Sequence, residues 1–132
     1  MGSRKSLGQH FLTDKTVIDQ IIQAAELTHD DIVVEIGPGK GILTKHLIST
    51  AGKIVSIELD ARLAQRLPTQ LGCPTNLTCV TGDARFKDIT DLVGTSIKYK
   101  MVSNLPYYAA NPIIRRFLEV PPKPECMVVM VQ

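Results

Sequence analysis

The chain has 132 residues, enough for one domain around one hydrophobic core. With 15 Lys and Arg against 13 Asp and Glu, its net charge of +2 is too mild to imply an anionic partner by itself. Cys73, Cys79 and Cys126 are odd in number and lack metal-ligand spacing, which argues against a disulfide scaffold or a metal site and predicts a reduced, cytoplasmic protein.

The N-terminus has no long apolar core, so no signal peptide is expected. No apolar run approaches the roughly 18 residues of a membrane helix. The first predicted element is a helix over residues 13–25, with Val17, Ile18, Ile21, Ile22 and Ala25 at helical spacing and Thr13 or Asp14 as its cap. "DIVVEIG" follows as a buried strand, and "GILTKHLIST" repeats helically through Ile42, Leu43, Leu47 and Ile48. "KIVSIELD" is a second strand. "ARLAQRLPTQL" is a helix expected to break or bend at Pro68. "LTCVTGD" is a third strand, "DITDLVG" a short helix and "KYKMVSN" a fourth strand. "NPIIRRFLEV" predicts a helix with Asn111 as cap and Pro112 at its first position, and "ECMVVMVQ" a fifth strand.

Strands alternating with helices predict an α/β fold, a parallel sheet with helices on both faces. Ligands on such sheets bind beyond the carboxyl ends of the strands. Attention therefore falls on residues 37–41, residues 58–60, Asp83 and residues 104–108. A sheet that ends on the apolar run over residues 128–132 has an unpaired edge, which predicts a fragment of a larger protein and self-association.

"EIGPGKG" sets Gly37, Gly39 and Gly41 between a strand and a helix, where glycine lets backbone approach a ligand closely. The spacing is G-x-G-x-G, and the dinucleotide fingerprint is G-x-G-x-x-G. Glu35 below this loop would accept backbone N–H bonds or attract a cationic ligand; a pyrophosphate would not favour it. Glu58 ends the second strand where an acid that binds a ribose diol is expected, with Asp60 left to cap the next helix. Asp83 could accept from an adenine amine, with Ile36 and Ala84 against the ring. The set describes an adenosine-bearing cofactor. Glycine spacing and Glu35 favour S-adenosylmethionine over a nicotinamide dinucleotide.

"NLPYY" then suits a target base. An exocyclic amine is a poor nucleophile because its lone pair is delocalised into the ring. Holding its hydrogens on the Asn104 oxygen and the Leu105 carbonyl favours a more pyramidal nitrogen. Pro106 fixes the turn, and Tyr107 can stack on the base. No general base is needed before transfer.

"GQHFL", "EIGPGKGILT", "IELD", "GDA" and "NLPY" occur in the order found in the ribosomal RNA adenine N6,N6-dimethyltransferases, and the chain resembles that family from Leu7 to its last strand. The resemblance implies a Rossmann-like methyltransferase domain over residues 1–132, truncated after the fifth strand, with later strands and a helical domain absent. It implies S-adenosylmethionine as cofactor and two adjacent adenines of small-subunit ribosomal RNA as substrate. By motif, His10, Leu12, Gly37, Gly39, Glu58, Asp83 and Asn104 would hold the cofactor. Asn104, Leu105, Pro106 and Tyr107 would act at the target base, with Phe11 closing its pocket. His10 stands where asparagine is common in the family, and "YAANP" where a Ser or Thr is usual. The "GPG" and "NLPY" segments resemble the small-subunit group more than the large-subunit resistance enzymes. Relatives that serve as RNA-binding assembly factors or transcription factors are a further alternative.

Overall fold

A computed structural model describes residues 15–95 and 97–131. Five strands, β1 (Ile32–Ile36), β2 (Lys53–Glu58), β3 (Leu77–Thr81), β4 (Lys100–Leu105) and β5 (Cys126–Val131), form one sheet in the order β3-β2-β1-β4-β5. Every neighbouring pair is parallel. The helices are α1 (Lys15–Ala25), α2 (Ile42–Thr50), α3 (Ala61–Gln70), α4 (Ile89–Val93) and α5 (Tyr107–Glu119).

Side chains along a strand alternate between its faces, and here both faces are covered. Val34, Val55 and Met101 pack with Ile89, Val93, Ile113 and Phe117, from α4 and α5. Their neighbours Val33, Ile54 and Val102 pack with Ile21, Leu43, Leu47 and Leu67, from α1, α2 and α3. This is why the strands read as unbroken β-branched runs. Lys100, at the start of β4, closes the end of α1: its Nζ donates to the Ala25 and Glu26 carbonyls at 2.8 and 3.0 Å and meets Asp31 at 3.3 Å.

Two helix expectations are corrected. Asn111 is not a cap, and Pro112 is not the first helical residue. The helix starts at Tyr107 with Pro106 as its N-cap, whose carbonyl accepts from Ala109 and Ala110. Pro112 lies inside α5 and has no N–H to give the Tyr108 carbonyl. Pro68 does not break α3, which runs on to Gln70 because Ala64 and Leu67 are anchored in the core. The caps Thr13 and Asp14 lie outside the described residues.

Gly41 shows how tightly the first crossover is packed. Its φ is +84°, and a Cβ there would lie 2.5 Å from Leu67 Cδ1. Gly41→Ala is expected to lower stability by about 1–3 kcal/mol, read by denaturant unfolding.

Candidate functional site

The topology sets β1 beside β4, and the two connections leaving that point run in opposite directions, which opens a crevice at their carboxyl ends. The β1–β4 register runs through Val33↔Lys100 and Val34↔Met101. At the next inward position the Ile36 N–H donates instead to the Ser103 hydroxyl, at 2.8 Å.

The glycine loop rises from β1. Gly37 and Gly39 have φ of +68° and +56°, and no described residue lies within 4 Å of a Cβ built on either. The turn therefore needs glycine for its conformation, and the same absence of side chains leaves the backbone open to a ligand. Glu58 ties this loop down. Its Oε1 accepts the Gly39 N–H at 3.1 Å and its Oε2 the Asp60 N–H at 2.9 Å. The Glu58 carboxylate is thus buried and engaged, and each oxygen keeps further acceptor capacity for a diol. Asp60 caps α3 as expected, accepting from the Arg62 and Leu63 N–H groups.

Glu35 is 1% exposed. It accepts hydroxyls rather than the backbone N–H groups expected of it: Thr44 Oγ1 at 2.6 Å and Ser56 Oγ at 2.8 Å, both on its Oε1. It thus joins β1, β2 and α2 beneath the loop. Burial pushes its carboxyl up to about 7, against the pull of the two hydroxyls, with a smaller push from the Glu58 charge. A carboxyl raised in the folded state binds its proton more tightly there than when unfolded. Its stabilising effect is complete below the unfolded value of 4.5 and is lost as pH rises to about 7. Between pH 4 and pH 8 the stability of Glu35→Gln should therefore gain about 3 kcal/mol relative to the parent, measured by denaturant unfolding at each pH. A constant difference would contradict the raised value.

Asp83 begins the loop after β3. Arg85 grips it: Nη2 donates to Oδ2 at 2.7 Å, and the Arg85 N–H to Oδ1 at 2.9 Å. These Arg85 hydrogen bonds hold the Asp83 carboxyl below its ordinary value. Glu58 and Asp83 line one cavity of about 510 Å³, together with Gly37, Leu105 and Pro106, and Ile36 and Ala84 add apolar surface. A diol acceptor, an amine acceptor, apolar surface and this volume fit an adenosine. Glu58 brings a carboxylate without a cationic partner among the described residues to this cavity, while Asp83 is paired with Arg85, and an unneutralised carboxylate suits a cationic ligand better than a pyrophosphate.

Asn104 precedes Leu105 at the end of β4 and registers against Met130. Its Oδ1 is buried and has no hydrogen-bond partner among the described residues. A buried idle acceptor costs about 1–3 kcal/mol, so such an atom calls for an explanation. Tyr107 and Tyr108 open α5 beside it, both exposed, with ring centroids 6.2 Å apart and nearly perpendicular planes.

Gly37, Glu58, Asp83, Leu105 and Pro106 thus meet in one cavity. Gly39 joins through Glu58, and Asn104 adjoins through Leu105. Tyr107 projects outside it, and Tyr108 lines it instead. His10, Phe11 and Leu12 lie outside the described residues. Leu59 and Tyr108, within the ranges singled out in the sequence but given no role there, also line the cavity, as does Arg85, which sequence reasoning missed. Leu59 carried a signal: an apolar side chain between two acids just past a strand, 72% exposed. Among the described residues no group of three His, Cys, Asp or Glu is placed to hold a metal, and no helix is long and apolar enough to cross a membrane.

A family model described as ribosomal RNA adenine dimethylase matches residues 2–132. A ribosomal RNA small subunit methyltransferase A of Dehalococcoides mccartyi is 43% identical over 130 residues, which cover 98% of this chain and 45% of that protein. A dimethyladenosine transferase from Plasmodium falciparum superposes with a TM-score of 0.72 at 31% identity, over 90% of this chain and 42% of its own. The 23S rRNA methyltransferase ErmE does so with a TM-score of 0.74 at 32% identity, over 88% and 46%. The chain spans a little under half the length of these relatives. Its fold is the Rossmann-like α/β fold of the methyltransferases, and the chain belongs to the ribosomal RNA adenine dimethylase family.

Proposed function

We propose that the protein carrying this chain uses S-adenosylmethionine to dimethylate N6 of two adjacent adenines in small-subunit ribosomal RNA, in the cytoplasm, during ribosome biogenesis. The observation that carries this reading is the buried Asn104 Oδ1, without a partner among the described residues and next to Leu105, which lines an adenosine-sized cleft. An acceptor left idle there is poised for the donor that a target amine brings. Residues 1–132 are the cofactor-binding portion, and the remaining length supplies further strands and a helical domain. The small-subunit assignment is supported by the names of the sequence relatives; the two solved structures, one of a 23S enzyme, superpose almost equally and do not separate the groups.

In this reading Gly37 and Gly39 let backbone approach the methionine part, Glu58 accepts the ribose hydroxyls and Asp83 the adenine amine. The cofactor supplies an electrophilic methyl group on a sulfonium. Asn104 Oδ1 and the Leu105 carbonyl accept from the target amine and hold its lone pair toward that methyl. Tyr107 lies flat on the base, and the nitrogen sheds its proton to water after attack. His10 and Leu12 complete the cofactor contacts and Phe11 the base pocket.

Calorimetric titration separates the possible classes. The chain should bind S-adenosylmethionine and not NAD. Binding of NAD would make it an oxidoreductase, and binding of neither would make it a scaffold.

Self-association of the 132-residue polypeptide belongs to the same proposal. β5 ends the sheet, with Val131 48% exposed. Sedimentation should show concentration-dependent dimers or larger species; a monomer at all concentrations would contradict it.

A further inference from the structure

Among the described residues, two aromatic rings are buried, Tyr99 and Phe117. The three exposed ones, Phe86, Tyr107 and Tyr108, all lie on segments just past the carboxyl ends of β3 and β4, around the cleft. Tyr107 and Tyr108 adjoin the idle Asn104 acceptor. Phe86 has no part in the site described above, yet it is 78% exposed.

The backbone that carries Phe86 is tied down. The Phe86 and Lys87 N–H groups both donate to the Asp83 carbonyl at 3.0 Å, closing a tight turn. Arg116 on α5 donates from Nη2 to the Lys87 carbonyl at 2.6 Å and fixes the far side of the turn. The next residue, Asp88, caps α4. The Arg85 guanidinium lies over the Phe86 ring, 5.0 Å from its centroid, while it grips Asp83. One face of the ring thus meets a cation, and the side chain stays exposed. In sequence the ring stands between two cations, Arg85, paired with Asp83, and Lys87, whose Nζ donates to the Thr81 carbonyl at 3.1 Å and keeps its charge on this loop.

A flat, pre-positioned ring flanked by positive charge is what a single-stranded nucleic acid uses: a base stacks on the ring and the cations meet its phosphates. An apolar protein partner would not need the two cations. We propose that Phe86 is a stacking platform for an unpaired RNA nucleotide neighbouring the target adenine, with Arg85 and Lys87 facing its backbone. The inference rests on the adenine-methylation reading. It places a second base contact on the loop that also carries Asp83, so cofactor and RNA are read by adjacent residues.

The test uses the full-length protein, with steady-state methylation of small subunits lacking the modification and of a short single-stranded RNA containing the target. Phe86→Ala should raise the KM for both RNAs about 5- to 100-fold, with kcat changed much less. S-adenosylmethionine affinity by calorimetry should be unchanged, and Phe86→Trp should restore the KM. An unchanged KM in Phe86→Ala overturns the platform. A matching loss of cofactor affinity overturns it too, because Phe86 would then be supporting Asp83. A raised KM for intact subunits alone overturns it in favour of a ribosomal-protein contact. If the parent protein methylates neither RNA, it is the adenine-methylation reading that fails.

Discussion

Asn104→Ala is expected to slow methyl transfer by about 10²–10³-fold in the full-length protein, while S-adenosylmethionine affinity is affected less. Among the described residues the buried Asn104 Oδ1 accepts no hydrogen bond, so the substitution breaks none made by that oxygen to them. What is lost is a preorganised acceptor at the reacting amine, whose role is largest in the transition state. The effect should fall on kcat rather than on cofactor binding. Tyr107 supplies a second, different contribution. Its ring is 68% exposed, so Tyr107→Ala should fold normally and lose base stacking. Tyr107→Phe keeps the flat ring and should be milder. Equal damage from both Tyr107 variants would mean that the hydroxyl, and not the ring face, matters.

Glu58→Ala has the largest expected effect on the cofactor itself. Losing the acceptor for both ribose hydroxyls should weaken binding by about 1.5–3 kcal/mol, roughly 10- to 150-fold. The same carboxylate holds the Gly39 and Asp60 N–H groups, so its removal also releases the glycine loop from β2. Glu58→Gln keeps one carbonyl acceptor and should lie between the parent and the alanine variant. Calorimetry reads the affinities, and thermal unfolding shows that each variant folds. Unchanged affinity in folded Glu58→Ala would remove Glu58 from the site.

The sheet was legible because its strands are buried on both faces, and runs such as Ile32–Ile36 leave little else for β-branched residues to form. The positions that line the cleft followed from that topology, since they come directly after strands. The start of α5 was not legible. Pro106 caps it with a backbone carbonyl, which has no side-chain signal, and Asn111-Pro112 imitates a helix start five residues later. The engagement of Glu58 was hidden for a related reason: one partner is a backbone N–H 19 residues away. Glu35 was recognised as a loop-fixing acid, but its partners Thr44 and Ser56 come from two other elements and only the fold brings them together. The closure of α1 by Lys100 spans 75 residues and left no local trace.

The measurement that tests the central claim most directly is methylation of small ribosomal subunits lacking the modification by the full-length protein, with the product mapped by mass. The account predicts transfer from S-adenosylmethionine of two methyl groups to N6 of each of two adjacent adenines, and its loss in Asn104→Ala. Methyl groups on another base or another position, or an undiminished rate in Asn104→Ala, would contradict it.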